Sequence, residues 1–302
     1  MQRPQFGSSS TCDDVVAGLD LSDRAFLVTG SNSGIGLSTA RALAGAGAHV
    51  IVACRRKASA DQTIETIKAK HVSARVTAME MDLGSFASIR GAVRSLDVPK
   101  LDAVICNAGL YTPKFETTVD GIESCVGICH FGHFLLVGLL VDKLRAGGTS
   151  RVVMVSSESH RMPPTLSFSR FPLQPNQYQP LIAYGQAKLC NVLFANELTR
   201  RFQQDGISAN SLHPGTLIGT SIFRNSIAAK LLGAVARPFT KSIDQGAATT
   251  VYCAVDPRLN GIGGRYYRDC NESRQSRGAS DQQAAKRLWD LSVERVGGDV
   301  FR

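Results

Sequence analysis

Tyr184 and Lys188 stand four positions apart in the stretch AYGQAK. On a helix that spacing puts the phenol and the ammonium on one face, and the positive charge draws the phenol down from its ordinary value of about 10. A phenol tuned in this way can give or take a proton near neutral pH. Ser157 closes the β-branched run RVVMVSS and offers a hydroxyl that can hold an oxygen beside that phenol. Other residues have the types needed for binding. Gly30, Gly34 and Gly36 in LVTGSNSGIG follow a β-branched run and precede the helix-like IGLSTARALAGAG. Glycines there let the backbone turn tightly and approach a pyrophosphate, which rests on the exposed N–H groups at the start of the helix. Ser31, Asn32, Ser33 and Ile35 complete the loop. A ligand-free strand-to-helix turn would use the same glycines.

The next β-branched run decides which dinucleotide suits the loop. A carboxylate at its end would accept from the ribose 2′-hydroxyl of NAD. The chain instead reads VACRRK, with Ala53 and Cys54 at that place and Arg55 and Arg56 just after. Guanidinium groups clamp a phosphate in a bidentate way, so the cofactor read here is NADP(H). The alternative is an exposed basic turn.

GICHFGHF, residues 127 to 134, places Cys129, His130 and His133 within five positions. A metal would want further ligands and an outer shell of hydrogen bonds, and the sequence supplies neither, so no metal site is expected. The two histidines are read as packing and helix hydrogen bonding.

Helices and strands must bring these residues together. Runs at 25–29, 49–54, 75–81, 102–106, 151–156 and 207–212 alternate with helix-like segments near 35–47, 59–70, 85–95, 118–144, 183–204 and 245–255. Such alternation predicts an α/β fold: one Rossmann-type, doubly wound parallel sheet flanked by helices on both faces, with ligands beyond the carboxyl ends of its strands. No linker, repeat or low-complexity tract divides the 302 residues. A single domain over 1–302 is expected, with a core of about 22–270, a mobile N-terminus over 1–12 and a C-terminal helix near 280–296.

Composition narrows the classes. The net charge of +9 is spread along the chain without an aromatic-interleaved basic stripe, which argues against nucleic acid. The apolar run FLLVGLLV at 134–141 is too short for an integral membrane span, which takes about 20 residues. No targeting signal is evident, so a cytoplasmic protein is expected, with peripheral membrane contact left open. The eight cysteines lie mostly inside apolar stretches without a CxxC pair and read as reduced, buried thiols.

Six motifs in order resemble the short-chain dehydrogenase/reductase family over nearly the whole chain: TGSNSGIG (29–36), Met81-Asp82-Leu83, Cys106-Asn107-Ala108-Gly109, Val155-Ser156-Ser157, Tyr184 to Lys188, and His213-Pro214-Gly215. GHFLL, SSESHR, GGRYYRDC and ARPFTKSIDQGAATTVYCA are similar to the branch holding retinol dehydrogenases and the dehydrogenase domains of WW-domain-containing oxidoreductases. The resemblance implies hydride transfer between NADP(H) and a carbonyl or alcohol carbon. Tyr184 would move the proton, Lys188 would lower its pKa and bind the nicotinamide ribose, and Ser157 would orient the oxygen. It further implies Asp82 and Leu83 at the adenine, Asn107, Ala108 and Gly109 beside the cofactor, with Asn107 bridging strands, and Pro214, Gly215 and Thr216 near the carboxamide.

Two departures qualify this. A WW domain needs a pair of tryptophans and the chain's only Trp is Trp289, so no WW-mediated partners are expected. Aligned on GHF, the family's VNHLGHF sets its asparagine at Cys129. In the family that asparagine completes a tetrad with the serine, tyrosine and lysine, and its helix position helps hold a water. A thiol is a weak donor and acceptor, so slower proton resupply is expected there, with the backbone carbonyl free to hold the water. The apolar residues of 158–183 and 217–239 are expected to wall a pocket for a small lipophilic alcohol or carbonyl substrate such as a retinoid or steroid. A homo-oligomer is possible, since family members pair through the helices that here hold FLLVGLLV and Tyr184. The other function class is an NADP(H)-binding regulatory or scaffold protein with weak or no turnover.

Overall fold

In the computed structural model, which describes residues 5–215 and 241–302, the β-branched runs become strands and the periodic stretches between them become helices. β1 (Ala25–Thr29), β2 (His49–Cys54), β3 (Arg75–Glu80), β4 (Ala103–Cys106), β5 (Ser150–Val155) and β6 (Ile207–His213) lie within a residue of the ranges read from sequence. β7 (Tyr266–Arg268) and β8 (Asn271–Ser273) were not anticipated. The strands form one sheet in the order β3-β2-β1-β4-β5-β6-β7-β8. All pairs are parallel except β7 with β8. Strand order reverses at β1, which pairs with β2 on one side and β4 on the other, so a crevice opens beyond their carboxyl ends.

Helices cover both faces. On one lie α1 (Cys12–Val16), α2 (Gly34–Gly45) and α3 (Lys57–Lys68). On the other are α4 (Phe86–Arg94), α5 (Ser124–Val126), α6 (His133–Leu139), α7 (Val141–Ala146) and α8 (Pro180–Phe202). α9 (Ile243–Val255) returns to the first face and α10 (Gln282–Arg295) to the second. Phe6, placed by sequence in a mobile end, is instead buried, with its ring 6.1 Å from Tyr252.

The helix read near 118–144 differs most from expectation. Gly121 takes a left-handed φ of +74° and closes a turn, and Thr117 bridges Glu123. The Glu123 carboxylate then accepts from the backbone N–H groups of Cys125 (2.8 Å) and Val126 (3.1 Å), starting the helix only at Ser124. Between α5 and α6 the chain widens into a π-helical turn, Gly127–Gly132, a form that recurs at functional sites. FLLVGLLV is satisfied within the chain: Phe134, Leu135, Leu136, Val137 and Leu140 are fully buried, and Trp289 of α10 meets Phe134 edge-on at 5.1 Å. Each such side chain stabilises the fold by about 2 kcal/mol. Among the described residues no helix is long and apolar enough to cross a membrane.

Candidate active site

At the carboxyl ends of β1 to β6 the crevice becomes a cleft of about 790 Å³. Gly30 (φ +63°) and Gly34 (φ +57°) carry the chain from β1 into α2 through a left-handed backbone. Ser33 caps α2 without a side-chain hydrogen bond, which leaves the first N–H groups of the helix open to the cleft. Gly30, Asn32, Ser33, Gly34, Ile35 and Gly36 line it; Ser31 does not, being fully buried with its hydroxyl against Cys54. At Gly36 any Cβ would press on the Gly30 carbonyl and stand 2.5 Å from Asn107 Nδ2. Asn107 ties β4 to β1 there, Nδ2 donating to the Thr29 carbonyl at 2.9 Å.

Arg55 and Arg56 line the same cleft past the end of β2 and are exposed. Among the described residues neither is paired with a carboxylate, whereas Lys57 is held by Asp61 at 2.7 Å. Asp82, Leu83, Ala108 and Gly109 lie on the wall, and Asp82 Oδ1 accepts from the Gly84 N–H at 2.8 Å. Pro214 and Gly215 line the far end, and Thr216 lies outside the described residues.

Ser157, Tyr184 and Lys188 meet on one stretch of this wall. Ser157 stands two residues past β5, and Tyr184 and Lys188 project from α8, which begins at Pro180. Lys188 is buried, its Nζ 5.5 Å from the Tyr184 ring centroid and donating to the Val155 carbonyl at 3.0 Å. Burial pushes the Tyr184 phenol up, against the pull of Lys188 and a hydrogen bond with Ser157, and the net direction is upward. The sequence expectation that Lys188 would bring the phenol down is thus outweighed in this structure by desolvation. For Lys188 burial acts downward, yet the sulfur of Cys129 and the phenol of Tyr184 hold the ammonium above its usual range.

Cys129 is buried in the π turn behind this pair and does not line the cleft. Its Sγ accepts from the Leu110 N–H at 3.5 Å. Its carbonyl, expected to be free for a water, accepts from His133 Nδ1 at 3.0 Å. With the proton on Nδ1, Nε2 must accept, and it takes the Thr29 hydroxyl at 2.9 Å. That hydroxyl oxygen in turn accepts from the N–H groups of Asn107 and Ala108, each at 3.0 Å. His133 therefore couples the π turn to the ends of β1 and β4. His130 bonds Ser292 of α10 at 2.8 Å. Burial holds His130 down to about 3 and, with Lys188 nearby, His133 down to about 4.

His213, read from sequence as part of the His213-Pro214-Gly215 motif, lines the cleft too, with Glu158, Ser159, Ile243 and Arg268, which were given no site role from sequence. His213 and Arg268 become neighbours only because β7 pairs with β6. Conversely, the apolar residues of 158–183 that were expected on the pocket wall turn away. Leu166, Phe171 and Leu173 are buried against α8 and the π turn. The second expected wall, 217–239, falls in the part of the chain outside the described residues.

This geometry agrees with comparisons to known proteins. A family model described as short chain dehydrogenase matches residues 24–170. The WW domain-containing oxidoreductase of Danio rerio is 47% identical over 291 residues, covering 94% of this chain and 71% of that protein. The chain belongs to the short-chain dehydrogenase family. Retinol dehydrogenase 12 of Mus musculus, another member, is 38% identical and covers 90% of this chain and 85% of its own. A solved structure from Mycobacterium paratuberculosis superposes with a TM-score of 0.75 at 31% identity, covering 95% of this chain and 98% of that one. Membership makes the protein an oxidoreductase, and the cleft beyond β1 and β4 is where that family's fold places its nicotinamide cofactor.

Proposed function

We propose that the protein is an NADP(H)-dependent reductase or dehydrogenase that interconverts a carbonyl compound and an alcohol. The observation that carries this is the convergence of Ser157, Tyr184 and Lys188 on one wall of the cofactor cleft. NADPH, when bound, supplies the hydride. Arg55 and Arg56 would hold its 2′-phosphate, since among the described residues they pair with no carboxylate and no acid ends β2 to repel it. The N–H groups opening α2 would take the pyrophosphate, Asp82 and Leu83 the adenine, and Asn107, Ala108, Gly109, Pro214, Gly215 and Thr216 the nicotinamide side.

Ser157 would hold the substrate oxygen by a hydrogen bond and Tyr184 would give it a proton. A phenol kept protonated by burial is in the form that carbonyl reduction requires. Lys188, buried and charged, stabilises the phenolate left behind and can hold a ribose hydroxyl. The proposed substrate is small and lipophilic. The name of the mouse relative and the apolar content of 217–239 support it.

A second reading is favoured by Cys129: a thiol that, among the described residues, bonds only Leu110 stands where the family has an amide, behind Lys188. On it the protein binds NADP(H) but turns over weakly. NADPH oxidation against retinals, steroid ketones and simple aldehydes, with Tyr184→Phe alongside, separates the two. Turnover lost in the variant supports the enzyme. NADPH binding with no turnover by either protein favours the second reading.

A further inference from the structure

His160 belongs to none of the roles above, although it is fully buried directly after the cleft-lining Ser159. It sits in the 3₁₀ turn Glu158–Arg161 that Ser157 caps. Its Nδ1 lies 2.7 Å from the carbonyl oxygen of Ser157, and the backbone N–H of Ser276 points at its Nε2 from 3.2 Å. A carbonyl only accepts and a backbone N–H only donates, so the two partners fix one tautomer: proton on Nδ1, lone pair on Nε2. Tyr266 packs against the ring at 4.7 Å.

The same turn is tied to the C-terminal part of the chain twice more. The Tyr266 hydroxyl lies 3.3 Å from Glu158 Oε1, and Arg161 donates to the Arg274 carbonyl at 2.7 Å. Ser157 is thereby held from two sides. Its carbonyl accepts both from the His160 ring and, at 3.0 Å, from the His160 backbone N–H, and its hydroxyl oxygen accepts from the Ser159 N–H at 3.2 Å. Without the ring bond the carbonyl would be held by the His160 backbone N–H alone, and the peptide that follows Ser157 would be freer to tilt and shift the hydroxyl relative to Tyr184.

We infer that His160 is a positioning residue: its fixed tautomer aims the Ser157 hydroxyl and makes that aim depend on the segment 266–276. The inference rests on the proposed role of Ser157. The side chain of His160→Asn can still donate to the Ser157 carbonyl, whereas His160→Leu keeps only the backbone N–H bond. With a carbonyl substrate that the wild type reduces, His160→Leu lowers kcat about tenfold, the size of a coupling between residues in one hydrogen-bond network. Its Kd for NADPH changes less than about twofold, since no cofactor contact is lost. His160→Asn restores most of the rate, and His160→Leu added to Ser157→Ala costs nothing more.

Long-range 1H–15N NMR of the histidine rings reads the tautomer without turnover, and the expected species carries its proton on Nδ1. An Nε2–H tautomer overturns the inference, as does a His160→Leu loss that persists undiminished in the Ser157→Ala background. If His160→Leu does not fold, His160→Asn and the tautomer still decide. Should Ser157→Ala leave kcat unchanged, or the wild type reduce nothing, the proposed function fails. The tautomer then still decides the His160 bond by itself.

Discussion

Gly36 is where the cofactor loop leaves least room. It lies in the first turn of α2 with the Gly30 carbonyl and the Asn107 side chain directly over its Cα. In Gly36→Ala the new methyl would meet Asn107 Nδ2 at 2.5 Å and press harder still on the Gly30 oxygen. Neither can yield easily: one is backbone, and the other is an amide already bonded to Thr29 at 2.9 Å. Overpacking of this kind costs about 1–3 kcal/mol, and losing the Asn107 bond about 1 kcal/mol more. The sum, about 2–4 kcal/mol, should appear as a lower urea midpoint in the cofactor-free protein, with NADPH binding weakened as well. Gly34→Ala is the control. Its Cβ would meet nothing within 4 Å, so only the left-handed backbone is strained, at about 1–2 kcal/mol. An unfolding midpoint for Gly36→Ala equal to or above that of Gly34→Ala would refute the reasoning.

Other consequences can be measured in the same way. Arg55→Ala with Arg56→Ala should raise the Kd for NADPH about tenfold or more, because charge-assisted bonds to a phosphate contribute about 1.5–3 kcal/mol each before solvent screening. NADH binding should hardly change, and equal losses for both cofactors would contradict the phosphate role. Cys129→Asn restores a competent donor and acceptor behind Lys188, so the variant should turn over faster than wild type in steady-state kinetics, and a slower variant would count against the proton-resupply account. Acid should unfold the protein through its buried histidines. His130 and His133 titrate at about 3 and about 4 when folded and near 6.5 when unfolded. Their contribution is complete above about pH 6.5 and is lost as pH falls toward 4, on the order of 2 kcal/mol per ring by about pH 5. Urea titrations across that window should show the fall, and a flat profile would contradict it.

Much of this site could be read in the sequence because its parts are local. The glycine turn, the arginines after β2 and the Tyr184–Lys188 spacing each lie within a few residues, and the strand-helix alternation fixes where strand ends must meet. What escaped depends on distant contacts. β7 and β8 are three residues each, too short to show a period, so Arg268 could not be placed beside His213. Leu166, Phe171 and Leu173 read as pocket wall, yet α8 and the π turn offered them a core. The helix start moved to Ser124 because Gly121 and the Glu123 cap outweigh the apolar periodicity before them. The direction of the Tyr184 shift also needed the fold: spacing reveals the ammonium but not how deeply both groups are buried.

Hydride transfer itself is tested most directly by isotope. The protein would be incubated with NADPH carrying deuterium at nicotinamide C4 and a carbonyl compound from the panel, and the alcohol analysed by mass spectrometry. Deuterium on the carbinol carbon, abolished in Tyr184→Phe, is the predicted result. Bound NADPH with no labelled alcohol from any member of the panel would contradict it.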